Sequence, residues 1–333
     1  MAAQDRFTGR RFAGEADLQA ITEFFDLCTK ADHLDEPFMT VDDWRHHLNR
    51  PDLDQERDLR LWTGAAGWLA GIGRTVITEE VSEGEAGKRL TAHMLLRVHP
   101  EARGQGLETE IVDWAVARGK QAGQERQMPL VLQALLQHST PEHVEYRRGV
   151  LEGHGFAPVR YWFKMERALG EPVPEPQIPE GFTLSHVKGD ADIQKWVEAF
   201  NDSFVDHWGF HPETLEDHKF WLQNPKYSAE RDLICLAPDG TIAAYCFCWV
   251  DLEENALTGR NEGLIETLGT ARPYRRKGLG KAMLLAGLQR LRSEGLDIAV
   301  LDVDADNPTG ALGMYESAGF KKAMRSDTYE REV

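Results

Sequence analysis

The chain has 333 residues, 41% hydrophobic and 28% charged, with a formal net charge of -17 at pH 7. That is more chain than one ordinary domain takes, with enough apolar material for two cores. The acidity argues against nucleic acid and anionic membranes as partners, and an acidic surround suits a cationic amine.

From the start, residues 1–11 pass straight into polar sequence with no signal-peptide pattern, and no long apolar run follows. This predicts a cytoplasmic protein. The four cysteines, Cys28, Cys235, Cys246 and Cys248, lack the spacing of a metal site, and no metal is expected. Cys246 and Cys248 alternate within an apolar run, so they are expected on one strand face as buried thiols.

Pro172, Pro174, Pro176 and Pro179 mark a linker, 169–180, between segments 1–168 and 181–333. The order of features recurs on either side. Helices are predicted at 17–25 and at 192–200. Asp43-Trp44 through Pro51 parallels Asp217-His218 through Pro225. Glu56-Arg57-Asp58-Leu59 returns as Glu230-Arg231-Asp232-Leu233, 174 positions on (56 to 230). Strands follow, at 59–63 and 68–78 in the first segment and at 233–237 and 242–252 in the second. Val98 through Leu107 then matches the stretch from Thr270, 172 positions on (98 to 270). Two copies of one α/β unit account for this order.

In the second copy, residues 265–285 read as a strand, a basic glycine-rich turn and a helix from about Gly278 to Arg292. Leu284, Leu285, Leu288 and Leu291 lie on one face of that helix. Free N–H groups and the positive dipole end make such a helix start an anion site, and Arg275, Arg276 and Lys277 add charge. The element suits phosphate. It is no P-loop, since Ala282 follows Gly280-Lys281, and no dinucleotide fingerprint, since Met283 holds the third small position.

Arg275-x-x-Gly278-x-Gly280 resembles the pyrophosphate loop of the GNAT acetyltransferase superfamily. A second motif follows in order. Residues 298–303 alternate as a strand, then come Asn307, Pro308, Ala311, Tyr315, Glu316 and Gly319-Phe320. This is similar to the family's closing segment. Gly319 suits the left-handed position after a helix. The resemblance implies an α/β fold with a mixed sheet, built as two tandem GNAT acyl-CoA N-acyltransferase-like domains. It implies an N-acetyltransferase that moves acetyl from acetyl-CoA to a primary amine of a small molecule by direct attack. The loop residues Arg275, Arg276, Lys277, Gly278, Leu279, Gly280 and Lys281, together with Asn307, would then bind coenzyme A. Backbone amides of Leu268, Gly269 and Thr270 would hold the acetyl group, and Tyr315 would lie near the sulfur as the acid. The tandem layout is similar to the mycothiol synthase type, which acetylates a cysteinyl amine.

The residues themselves supply a candidate base. Strand alternation puts Glu266, Leu268 and Thr270 on one face, so Glu266 can take a proton directly or through water if that face meets the acceptor. Glu262 and Glu253 are alternatives. The bland readings are a cross-strand surface charge for Glu266, a core aromatic for Tyr315 and a helix cap for Asn307. Phe204, His207, Trp208, Phe210, His211 and Trp221 crowd residues 200–221, either as an amine pocket or as helix packing.

The first copy departs from the pattern. Glu108 stands opposite Gly280, Leu151 opposite Tyr315, and His143 near the position of Asn307. This predicts a structurally retained, non-catalytic copy, with His138 and His143 on the surface. Ligand sites favour domain interfaces, so the first domain is expected to form one wall of the acceptor cleft. The competing reading is a non-catalytic acyl-CoA-binding or partner-binding module, and coenzyme A release with an amine panel separates the two.

Overall fold

The computed structural model describes residues 6–81, 88–307 and 309–333. Residues 1–5, at the polar start, and Pro308 of the closing motif lie outside them. The chain forms two compact units. The first holds the described residues up to Tyr161 together with Ser326–Val333, and the second holds Trp162–Arg325. The proline-rich stretch lies within the second unit, so sequence repeats and compact units differ by a strand segment at each end.

The first unit runs β1 (Thr8–Arg11), α1 (Glu15–Asp32), α2 (Val41–Leu48), α3 (Gln55–Asp58), β2 (Leu59–Thr63), β3 (Leu69–Val81), β4 (Lys88–Val98), α4 (Leu107–Arg126), β5 (Leu130–Gln137), α5 (Pro141–Gly153) and the start of β6 (Ala157–Ala168). The second continues from Trp162 through β7 (Thr183–His186), α6 (Asp190–Phe204), α7 (Leu215–Trp221), β8 (Asp232–Leu236), β9 (Ile242–Trp249), α8 (Leu252–Thr258), β10 (Glu262–Thr270), α9 (Leu279–Ser293), β11 (Ile298–Asp304), α10 (Ala311–Ser317) and the first part of β12 (Lys321–Glu332).

Within the first unit the strand order is β1-β2-β3-β4-β5, followed by residues 326–332 of β12. Within the second it is β6-β11-β10-β9-β8-β7, with Trp162–Ala168 of β6 on β11. These neighbours are antiparallel except β4 with β5 and β10 with β11, each parallel pair joined through a helix. A parallel pair needs such a crossover. Both units are therefore mixed α/β sheets, and the expected duplication is visible in the order of their strands and main helices, with α8 having no counterpart among the described residues of the first unit.

Period sets the packing. On α1, Leu18, Ile21, Phe24 and Cys28 recur at helical spacing and are all buried. On β9, Cys246 and Cys248 point to one face, where their thiols are buried in the core beneath α9, 4.0 Å apart in a weak thiol–thiol hydrogen bond and without a disulfide. Tyr245 points to the other face, against Trp196 of α6. A Cβ on Gly287 of α9 would meet Cys246 Sγ at 2.5 Å, so glycine lets this helix lie close on the sheet.

Two expectations need correction. The strand predicted over 242–252 ends at Trp249, and Leu252 opens α8. Asp251 is the reason: its carboxylate accepts from the amides of Glu253 and Glu254 at 3.1 and 3.0 Å, an N-cap that starts a helix. His143 is not a surface residue. It is buried on α5, its Nδ1 3.4 Å from Asp32. His138 is half-buried beside Asp327, at 2.8 Å.

Candidate active site

The site begins where a ladder stops. β10 and β11 pair only over Glu262–Leu264 and Ile298–Val300. Beyond that β10 continues to Thr270 and β11 to Asp304, with no pairing between them. Splayed strands leave backbone donors and acceptors facing a gap, where a ligand can take the place of the missing strand contact. A cavity of about 720 Å³ lies there, and every residue lining it belongs to the second unit.

The N-terminal end of α9 forms one side. Arg276 and Gly278 have φ of 65° and 84°, and Gly278 caps the helix. Left-handed residues alternating with ordinary ones turn successive N–H groups inward as an anion-binding nest. Gly278 is glycine because the backbone demands it. Gly280 is different. Its φ is not positive, and an added Cβ would come no closer than 3.4 Å to Thr270 Oγ1. The protein itself leaves room for a side chain at Gly280, directly on the cavity wall.

The basic residues of the loop divide. Arg276 and Lys281 line the cavity. Arg275 also lines it, but its guanidinium is committed: Nε to Thr270 O at 3.4 Å, Nη2 to Ser203 O at 3.0 Å and Nη1 to Asp206 at 2.8 Å. Lys277 holds its ammonium over the rings of Tyr274 and Phe182, 5.3 and 5.7 Å from the centroids. Gly278 and Leu279 both lie on the wall, and Leu279 is also part of the core.

Leu268, Gly269 and Thr270 carry β10 along the cavity. A Cβ on Gly269 would lie 2.2 Å from the Tyr245 hydroxyl, so a buried tyrosine fixes glycine there. That hydroxyl is in turn 2.7 Å from Ser203 Oγ on α6.

Glu266 corrects the alternation argument. Ile265 pairs with Cys248 and Thr267 with Phe247, so Glu266 and Thr267 together occupy one position of the ladder. This is a β-bulge. Leu268 and Thr270 stay in register with Cys246 and Ala244, and the extra residue takes Glu266 out of their alternation. Glu266 nonetheless faces the cavity. It is reachable by water yet ringed by protein. Its side chain is exposed to the open cavity, and the protein crowded around it, with Asp302 adding like charge, raises its carboxyl above the ordinary range. Glu262 and Glu253 do not line the cavity; Glu262 is paired with Arg260 at 2.5 Å.

Tyr315 stands on α10, buried except towards the cavity, its ring 6.0 Å from Phe320. Burial, with a smaller contribution from Cys246, pushes its phenol above the ordinary range, so it is protonated at neutral pH. Among the described residues neither Glu266 nor the Tyr315 hydroxyl has a hydrogen-bond partner. Asn307 also lines the cavity. It is not a helix cap, because Gly310 caps α10; its carbonyl accepts from Thr309 N and Oγ1 at 2.8 and 2.6 Å. Gly319 has φ 94° after the helix, as expected.

Part of the cavity wall is aromatic and acidic. Phe204, His207, Trp208, Phe210 and His211 line it as the crowded segment suggested, but Trp221 does not. His207 is held below its usual range by burial and by Arg275, and is neutral at pH 7. Sequence reasoning missed Trp162, Asp302 and Asp304, which also line it. Two acidic residues closing the apolar strand Ile298–Asp304 were a usable signal. Trp162 carried none, because it precedes the linker. Among the described residues no cluster of His, Cys, Asp or Glu could hold a metal ion, and no helix is long and apolar enough to cross a membrane.

A profile of the acetyltransferase (GNAT) family matches residues 193–320. The mycothiol acetyltransferase of Thermobispora bispora is 33% identical over 179 residues, 54% of this chain and 60% of that protein. The chain therefore spans about 60% of the length of such relatives. The mycothiol acetyltransferase of Segniliparus rotundus is 30% identical, over 55% of this chain and 69% of that protein. A crystal structure of a GCN5-related N-acetyltransferase from Sphaerobacter thermophilus, 25% identical, covers 98% of this chain and 96% of its own, with a TM-score of 0.70. A matching loop, splayed strands and closing helix in the second unit, and relatives of this kind, lead to one conclusion: the chain belongs to the acetyltransferase (GNAT) family.

Proposed function

We propose that the second unit transfers an acetyl group from acetyl-CoA to a primary amine of a small molecule by direct attack. One observation carries this. A single open cavity joins the nest at Arg276–Lys281 to the gap between β10 and β11, and unpartnered Glu266 and Tyr315 both stand on its wall. The chain fits the co-substrate: nest amides with Arg276, Lys281 and Asn307 suit the pyrophosphate, and room left at Gly280 lets it approach.

Glu266 takes a proton from the bound ammonium, directly or through water. The neutral nitrogen attacks the acetyl carbonyl carbon, and the N–C bond forms. Backbone N–H groups of Leu268–Thr270 stabilise the oxyanion. The C–S bond then breaks, Tyr315 gives its proton to the leaving thiolate, and the nitrogen's second proton passes through water to restore the phenol, leaving a neutral amide. A raised carboxyl suits Glu266 to this work, since a base is best with its pKa near the working pH. Carboxylates and aromatic rings on the cavity wall suit a cationic acceptor.

The relatives named mycothiol acetyltransferase make a mycothiol-type cysteinyl amine the first acceptor to try. The test is thiol release from acetyl-CoA with a panel of primary amines that includes it. Amine-dependent release supports the reading. Coenzyme A binding without release by any amine would leave a binding module instead.

A further inference from the structure

The first unit repeats the geometry of the second closely enough to be its internal control. Gly104 and Gly106 have φ of 68° and 92° where Arg276 and Gly278 have theirs. At the closing helix, Phe156 N bonds Leu151 O at 3.0 Å as Phe320 N bonds Tyr315 O at 3.1 Å. The splay recurs too: β4 and β5 pair only over Leu90–His93 and Leu130–Gln133.

We propose that the first unit holds a second cleft for a pyrophosphate-bearing acyl thioester, sealed by three of its own side chains in the positions a ligand would take. Aligning the two loops sets Glu108 opposite Gly280. Aligning Gly155-Phe156 with Gly319-Phe320 sets Tyr146 opposite Gly310 and Arg147 opposite Ala311. Gly280, Gly310 and Ala311 all line the cavity of the second unit. In the first unit the large side chains fill the equivalent space. The Glu108 carboxylate accepts from the Gly104 amide at 2.9 Å, an anion already seated in the nest. It also accepts from the Tyr146 hydroxyl at 3.0 Å. Arg147 is buried between the splayed strands and donates to one carbonyl of each, Leu96 O at 3.0 Å and Leu135 O at 3.3 Å. Arg103 lies over the Tyr146 ring, 4.8 Å from its centroid, and is tied to Asp32 at 2.7 Å. The nest amide, the strand carbonyls and the filling side chains satisfy one another, so no ligand is needed to complete this cleft.

The inference rests on the coenzyme site assigned to the second unit, and the experiment separates the two. Coenzyme A binding is measured by calorimetry on the full chain, and folding by circular dichroism. Wild type should bind one coenzyme A, and Gly280→Glu none. Adding Glu108→Gly, Tyr146→Gly and Arg147→Ala to Gly280→Glu should restore one site, and those three alone should give two. Two sites in wild type, or one surviving in Gly280→Glu, overturn the sealing. So does a folded quadruple variant that binds nothing. If Arg147→Ala prevents folding, Glu108→Gly in the Gly280→Glu background is titrated with inorganic pyrophosphate. Its affinity should rise about tenfold or more over Gly280→Glu alone, and no rise overturns the proposal. A wild type that binds no coenzyme A removes the second-unit assignment, and the pyrophosphate titration still decides the first.

Discussion

Arg275 holds the carbonyl of Thr270 through its Nε at 3.4 Å, and in the other unit Arg103 holds that of Val98 at the same distance. The bond recurs where the nest is filled by Glu108, so it belongs to the turn and does not depend on a ligand. Arg275 also ties in Ser203 and Asp206 of the α6 end.

Arg275→Ala is therefore expected to act first on stability, costing about 1–3 kcal/mol through the acceptors it leaves, with weaker coenzyme A binding as a consequence. Arg276→Gly should do the reverse. Arg276 sits at φ 65°, which a side chain makes unfavourable and glycine does not. Its melting temperature should hold or rise while coenzyme A affinity falls. Thermal unfolding beside calorimetry checks the pair. Equal loss of stability in both variants would contradict the division of roles.

Gly280→Ala tests why the position is small. A Cβ meets nothing closer than Thr270 Oγ1 at 3.4 Å, so the fold should accept alanine without loss and gain slightly from helix propensity. Coenzyme A affinity is expected to drop about tenfold or more, because the Cβ stands in the approach to the nest amides. Undiminished affinity would mean that phosphate does not come this close to α9.

Tyr315→Phe keeps the ring and its packing on Phe320 while removing the proton donor. Turnover should fall about 10²-fold or more, with little change in the apparent constant for acetyl-CoA, since a leaving-group acid works in the transition state. Steady-state kinetics decide this. A rise in that constant with turnover intact would reassign Tyr315 to binding.

Glu266→Gln should flatten the acidic limb of the pH–rate profile and lower turnover. Its stability should move the other way. The folded state holds the Glu266 carboxyl above its unfolded value, so it binds that proton more tightly than the unfolded chain does. Wild type then loses stability as pH rises from the unfolded value through the raised folded one, and glutamine removes that loss. The variant should gain melting temperature relative to wild type as pH is raised through this window, and little below it. An unchanged limb would pass the base role to water or another group.

Local sequence determined the parts that depend on local chemistry. Gly278 and Gly319 mark backbone that must turn left-handed, and a chain has few other ways to write that. Leu284, Leu288 and Leu291 declare a helix face by period alone, and all three are buried. The repeat followed from the same logic applied twice. The tertiary structure decided what depends on partners far away in the chain. The bulge at Glu266 exists only in register with β9, so alternation read along β10 misassigned its face. Whether Arg275 offers its charge to a ligand depends on Ser203 and Asp206, which lie about seventy residues earlier (203 and 206 to 275). Trp162 reaches the cavity because β6 pairs with β11, across the linker that set the sequence boundary. Glu108 could be read as an obstacle from its position. That Tyr146 and Arg147 complete a plug with it is decided by the tertiary structure, because a hydrogen bond between a loop, a helix and two splayed strands has no period for a sequence to show.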